Sequence, residues 1–185
     1  MSIIFPETVL HTGTLTLRPF TPEDIEDAQK GCSDELTQRW LPLPSPYTLD
    51  DATAWCTKVA EDLRTSGDGI QFAITDAADG GRLAGAVGLN RTDWKAQVSE
   101  IGYWVAPWAR GRGIAVEVTR AIGRWLLTDQ HFQRMELRAA TENTASRRVA
   151  LKAGLTEEGV LRNAGTVHDG RVDLVVHSLV PGDLD

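Results

Sequence analysis

The stretch Arg110-Gly111-Arg112-Gly113-Ile114-Ala115 places two glycines one residue apart, where a strand pattern gives way to a helix pattern. Glycine lets the backbone curl closely around a ligand. A helix start offers unpaired N–H groups and the positive end of the dipole. Together these make a cradle for a phosphate or pyrophosphate, to which Arg110 and Arg112 add positive charge. A tight turn flanked by solvated arginines is the competing reading. Other phosphate loops fit less well. No Lys-[Ser/Thr] follows the glycines as a P-loop requires, and Val116 stands where a dinucleotide fingerprint would place its third glycine.

Strand and helix patterns on both sides must position this loop. Leu15-Thr16-Leu17 alternates as a first strand, and Thr21-Pro22 opens a helix as N-cap and first helical residue. That helix fades near Gly31 to Asp34, and the prolines of 41–46 exclude helix interior. Thr48 caps a second helix, whose stripe is Ala52, Trp55, Val59 and Leu63. Residues 70–75 and 82–89 form an antiparallel hairpin around the turn at 77–81. Residues 99–105 give a further strand ended by Pro107. A helix at 113–128, a strand at 134–140, a short helix at 143–153 and a last strand at 171–179 follow. The predicted order is β-α-α-β-β-β-α-β-α-β-β, an α+β chain read as one domain over 1–185.

Bulk properties remove several functions. The 185 residues are 42% hydrophobic and 24% charged, ordinary values for a globular protein. A net charge of -7 argues against binding nucleic acid through phosphates. The two cysteines, Cys32 and Cys56, form no C-x-x-C pair or Cys/His cluster, so neither a disulfide framework nor a metal site is expected. The first residues lack the basic start of a signal peptide, and no apolar run reaches membrane-spanning length. The expectation is a cytoplasmic protein without membrane partners, monomer or homodimer.

Arg110 to Ala115 resembles the [QR]-x-x-G-x-[GA] loop of the GNAT acetyltransferases, and EIGYWVAP…RGRGIA at 100–115 resembles their RimJ/RimL branch. A second segment agrees. Glu142-Asn143-Thr144-Ala145-Ser146, continuing to Val149 and Lys152-Ala153-Gly154-Leu155, is similar to that branch's E-N-x-x-S-x-x-V-x-x-K-x-G-F. The resemblance implies a mixed, mostly antiparallel twisted sheet with helices on both faces and a splayed central strand pair, 99–105 and 134–140. It further implies acetyl-CoA as cosubstrate and a primary amine as acceptor, either a peptide or protein N-terminus or a small amine. A chain that binds acyl-CoA without turnover is the alternative from another class.

On that resemblance, backbone groups near Val105 bond the pantetheine arm, the N–H groups of Gly111, Arg112, Gly113, Ile114 and Ala115 hold the pyrophosphate, and Asn143 reaches the pantetheine or acetyl end. Ser146 is placed to give its proton to the leaving thiolate. The tyrosine that many relatives use as acid, seven residues after the Asn, is here Ala150. A glutamate proposed as base in RimL-type enzymes falls, counting without gaps from Ser146, at Gly165. Glu100 is then the first candidate base, with His168, Asp173 and His177 behind it, His177 also being read as packed against the sheet. The 31–48 loop, with Trp40 and Tyr47, is expected to line the acceptor site together with His168. Trp94, Trp104 and Trp108 lie around the meander and the phosphate loop, Trp104 as core.

Overall fold

Apolar residues on alternate positions build two cores on one sheet. Ile70, Phe72 and Ile74 enter the larger core, while Ala73 between them enters the smaller, as the two-residue period of a strand requires. The computed structural model describes residues 3–168 and 170–184. The elements run β1 (Leu10–Thr12), β2 (Leu15–Arg18), α1 (Ile25–Cys32), α2 (Glu35–Trp40), α3 (Leu49–Ala54) and α4 (Ala60–Ser66). There follow β3 (Ile70–Asp76), β4 (Arg82–Asp93), β5 (Val98–Val105), α5 (Ile114–Thr128), β6 (Arg134–Ala140), α6 (Thr144–Lys152), β7 (Thr156–Val167) and β8 (Gly170–Leu179). The eight strands make one sheet in the order β1-β2-β3-β4-β5-β6-β8-β7. Helices α5 and α6 cover the face of the larger core, whose members include Ile114, Val118, Ile122 and Ala150. Helices α1 and α3 close the smaller core on the other face through Ala28, Cys32 and Ala52.

Every pairing is antiparallel except β5 with β6. That parallel pairing covers only Val98↔Arg134, Ser99↔Met135 and Glu100↔Glu136. Past Glu100 each strand follows its other neighbour: β5 stays on β4 as far as Val105↔Gly85, and β6 stays on β8 as far as Ala140↔Leu174. The sheet therefore opens in a wedge between residues 101–105 and 137–140, the splayed pair that the resemblance implied. Sheet twist rotates each antiparallel block away from the other once the shared bonds stop.

Strand β1 precedes the first expected strand, and three further elements differ from the sequence expectation. Residues 35–40 are helical within the presumed loop, because the Asp34 carboxylate caps them by accepting from the Thr37 N–H. Residues Trp55–Val59 between α3 and α4 are π-helical, which turns the chain by an extra residue. The buried stripe is consequently Ala52, Cys56 and Ala60, and Val59 faces solvent. Strand β7 is exposed over most of its length, so no apolar alternation marks it. No helix among the described residues is long and apolar enough to cross a membrane.

Candidate functional site

The glycine loop follows β5 directly. Pro107–Ala109 forms a short 3-10 turn, and Gly111 and Gly113 take φ of 77° and 78°, the left-handed region that side chains resist. A Cβ built on either glycine meets nothing within 4 Å among the described residues. The space over the loop is therefore open, and the first bond of α5 runs from the Glu117 N–H to the Gly113 carbonyl. The preceding N–H groups, including those of Ile114 and Ala115, have no partner inside the helix. An anion fits this arrangement.

Both loop arginines correct the expectation that their charge lies free over the cradle. Arg110 turns inward, where Nε donates to the Val105 carbonyl at 3.1 Å and Nη2 donates to the Asp34 carboxylate and to Thr37 Oγ1. Arg112 donates to Asp76 and Asp79. Each guanidinium had carboxylates in reach and formed charge-assisted bonds with them, so the arginines brace the loop against α2 and the end of β3. The Val105 carbonyl is accordingly already an acceptor from Arg110. A groove of about 990 Å³ continues from Arg112 and Gly113 along the outer side of α5, past Arg120, Arg124 and Lys152.

Ser146 lies in the first turn of α6 on the larger-core face. Its N–H donates to Asn143 Oδ1 at 3.1 Å, so Asn143 is the N-cap and its side-chain oxygen is engaged. The Ser146 hydroxyl lies 3.1 Å from the Tyr103 hydroxyl. Tyr103 stands on β5 three residues beyond the last bond to β6, so the pair sits where the wedge is open. Burial holds the Tyr103 phenol above its usual range, against a smaller opposing effect of the Ser146 bond. The sequence reading passed over Tyr103, although its alternation with Ile101 and Val105 against Trp104 marks the face it occupies.

Glu100 occupies the last β5 position paired with β6, and its side chain alternates with the buried Ser99 and Ile101 onto the opposite sheet face. There its Oε2 accepts from Arg91 Nη1 at 3.1 Å and lies 3.6 Å from Arg138 Nε. The other base candidates are placed differently. His168 is exposed beyond the end of β7. Asp173 accepts from the Asn163 N–H at 2.6 Å. His177 is fully buried, and neither ring nitrogen has a hydrogen-bond partner among the described residues. Gly165 is pressed against Leu174 and Val172, where an added Cβ would come within 2.7 Å of Leu174 Cδ2.

Tyr47 is a correction. It is a core residue packed with Cys32 and Cys56, not an open wall, and burial pushes its phenol up. Trp40 remains half-exposed at the end of α2, with the Arg39 guanidinium 4.7 Å from its ring centre. Trp94 packs against Phe5 and Phe132, Trp104 packs over Gly31, and Trp108 donates to the Leu83 carbonyl at 2.9 Å.

A wedge between two central strands, beside a glycine-rich helix start, defines an acetyltransferase fold. Residues 14–156 match the family model described as an acetyltransferase (GNAT) domain. The chain belongs to the GNAT acetyltransferase family and is an N-acetyltransferase. An uncharacterized N-acetyltransferase of Bacillus subtilis, YoaA, is 29% identical over 177 residues, covering 96% of this chain and 98% of its own. A ribosomal-protein-serine acetyltransferase of Escherichia coli is 26% identical over 98 residues, 53% of this chain and 55% of that one. Among solved structures, Mycobacterium smegmatis RimJ in complex with CoA-disulfide superposes with a TM-score of 0.82 at 22% identity, covering 92% of this chain and 83% of its own.

Proposed function

We propose that the chain uses acetyl-CoA to acetylate a primary amine, an N-terminal α-amine of a peptide or protein, by direct attack. The observation that carries this reading is the wedge. Strands β5 and β6 part after Glu100, the open glycine cradle lies at one end, and the Tyr103–Ser146 pair lies beside the opening. Acetyl-CoA supplies the acetyl group activated as a thioester. The N–H groups from Gly111 to Ala115 hold its pyrophosphate, and the freed edge of β5 offers backbone groups to the amides of the pantetheine, as in strand addition. Asn143 caps α6 by accepting the Ser146 N–H, which holds the backbone that carries the Ser146 hydroxyl. Ser146 gives its proton to the departing sulfur. Glu100 serves as base on the other sheet face, where an amine loses its proton without competing for Ser146.

A second reading, a small amine as acceptor, is favoured by Gly165. It carries no carboxylate where RimL-type peptide acetylation was expected to place one, and the Leu174 and Val172 side chains pack over it instead. Incubating acetyl-CoA with peptides of varied first residue and with a panel of small amines, while following free thiol, decides between them. Turnover confined to peptides supports the first reading, and turnover confined to small amines the second. No thiol release with any acceptor, alongside intact CoA binding, would leave a CoA-binding protein without turnover.

A further inference from the structure

The structure assigns Tyr103 as the positioning residue that aims the Ser146 hydrogen at the sulfur, an inference that rests on the acid role proposed for Ser146. The two hydroxyls are 3.1 Å apart, and either could donate. Only one direction leaves Ser146 able to act. If Ser146 donated to Tyr103, its one hydrogen would be spent. If Tyr103 donates, the Ser146 oxygen is satisfied as acceptor and its hydrogen is free to point elsewhere. The Ser146 N–H is already committed to Asn143 Oδ1. Backbone cap and phenol therefore hold the residue from two sides, leaving the wedge as the open direction for its hydrogen.

Three features suit Tyr103 to donating. Its phenol is displaced upward by burial, so the hydroxyl keeps its hydrogen at working pH. It is carried on a strand rather than a loop, paired through Val87 to β4. And it lies past the point where β6 leaves, so the ring projects beside the wedge rather than under closed sheet. Position 150 on α6 is an alanine, so this helix offers no phenol of its own. The phenol here comes from the strand instead, and it acts on the serine rather than on the sulfur. In the step itself the N–C bond forms as the C–S bond breaks, the sulfur takes the Ser146 hydrogen, the amine proton passes to Glu100, and solvent water returns a proton to the serine oxygen. Tyr103 keeps its own proton throughout.

The test uses Tyr103→Phe, which keeps the ring, together with Ser146→Ala and the double variant. Thermal midpoint and CoA affinity should change little in all three. For Tyr103→Phe, kcat should fall about five- to tenfold, the size of one hydrogen bond, with KM for acetyl-CoA nearly constant. In the Ser146→Ala background the same change should add nothing. The ultraviolet absorbance of the thiolate of bound CoA gives a second readout. A hydrogen aimed at sulfur stabilises the thiolate, so both single variants should move its appearance to higher pH. A Tyr103→Phe loss that multiplies with Ser146→Ala, or an unmoved thiolate titration, would overturn the role of Tyr103 while leaving Ser146 as acid. A Tyr103→Phe loss of CoA binding or folding overturns it in favour of a packing role. A harmless Ser146→Ala overturns the acid assignment and this inference with it.

Discussion

Arg110 and Asp34 lie 76 positions apart in the chain and are bonded side chain to side chain. The same Asp34 carboxylate caps α2. The glycine loop and the segment after α1 are therefore one mechanical unit. The Arg110 bond holds the Asp34 carboxyl below its ordinary range. A depressed carboxylate contributes stability that is present above its unfolded pKa, about 3.9, and is lost as pH falls through the folded value. Asp34→Asn should lower the thermal midpoint at neutral pH and weaken CoA binding several-fold. The midpoints of variant and wild type should converge below about pH 4. Parallel melting curves across pH, with equal CoA affinities, would show that the bond does not brace the loop.

The glycine cradle can be tested without touching the wedge. Gly113→Ala puts a methyl group into the open space over the loop and forces an alanine into the left-handed region, a strain of roughly 1 kcal/mol. CoA affinity should fall tenfold or more, about 1.4 kcal/mol, and the gain in thermal midpoint at saturating CoA should shrink with it. Gly80→Ala is the matched control. That glycine also has a left-handed φ, 67°, and open space around it, but it lies in the turn after β3. It should cost comparable stability and leave CoA affinity intact. Equal losses of affinity at both positions would remove the cradle from the loop.

Much of this architecture was legible because local signals agreed with tertiary demands. Arg134 to Ala140 reads as a strand from alternation alone, and its bounds are those observed. The π-helical turn at Trp55–Val59 was not legible, since backbone hydrogen bonding rather than side-chain type shifts the buried stripe from Val59 to Cys56. Strand β7 had a place in the predicted order but no bounds, because an exposed edge strand carries no apolar period. At the site, Gly111 and Gly113 announced themselves by type. The partners of Arg110 and Arg112 did not, because Asp34, Asp76 and Asp79 come from distant segments that only the fold brings together. Tyr103 was hidden by its neighbours: in Gly-Tyr-Trp-Val the aromatic pair reads as core until the faces are known.

Ser146→Ala addresses the acid directly. Kcat and kcat/KM should fall together, by about a hundredfold or more, with CoA affinity nearly unchanged, as expected for an interaction made mainly in the transition state. A loss of only two- or threefold would reduce Ser146 to a first-turn residue positioned by Asn143.

Glu100→Gln separates a base from an ion-pair member. Glu100 stands among Arg91, Arg138 and Glu136 at the mouth of the wedge, so a purely structural glutamate is a concrete competitor. A structural role predicts a lower thermal midpoint and an unchanged rate. The gain from an exposed pair such as Arg91–Glu100 is small, about 1 kcal/mol or less, so that drop should be modest. A general base predicts more. The acidic limb of kcat/KM should carry an ionisation that disappears in the glutamine variant, whose rate at neutral pH should fall at least tenfold. The acceptor's own amine produces a similar limb, so the comparison needs acceptors of different amine pKa. A limb that moves with the acceptor belongs to the amine, and one that stays fixed and vanishes in Glu100→Gln belongs to the carboxylate. Retention of both rate and pH profile would make Glu100 a member of the arginine network. The amine would then have to lose its proton to water or to Asp173, the remaining carboxylate among the base candidates.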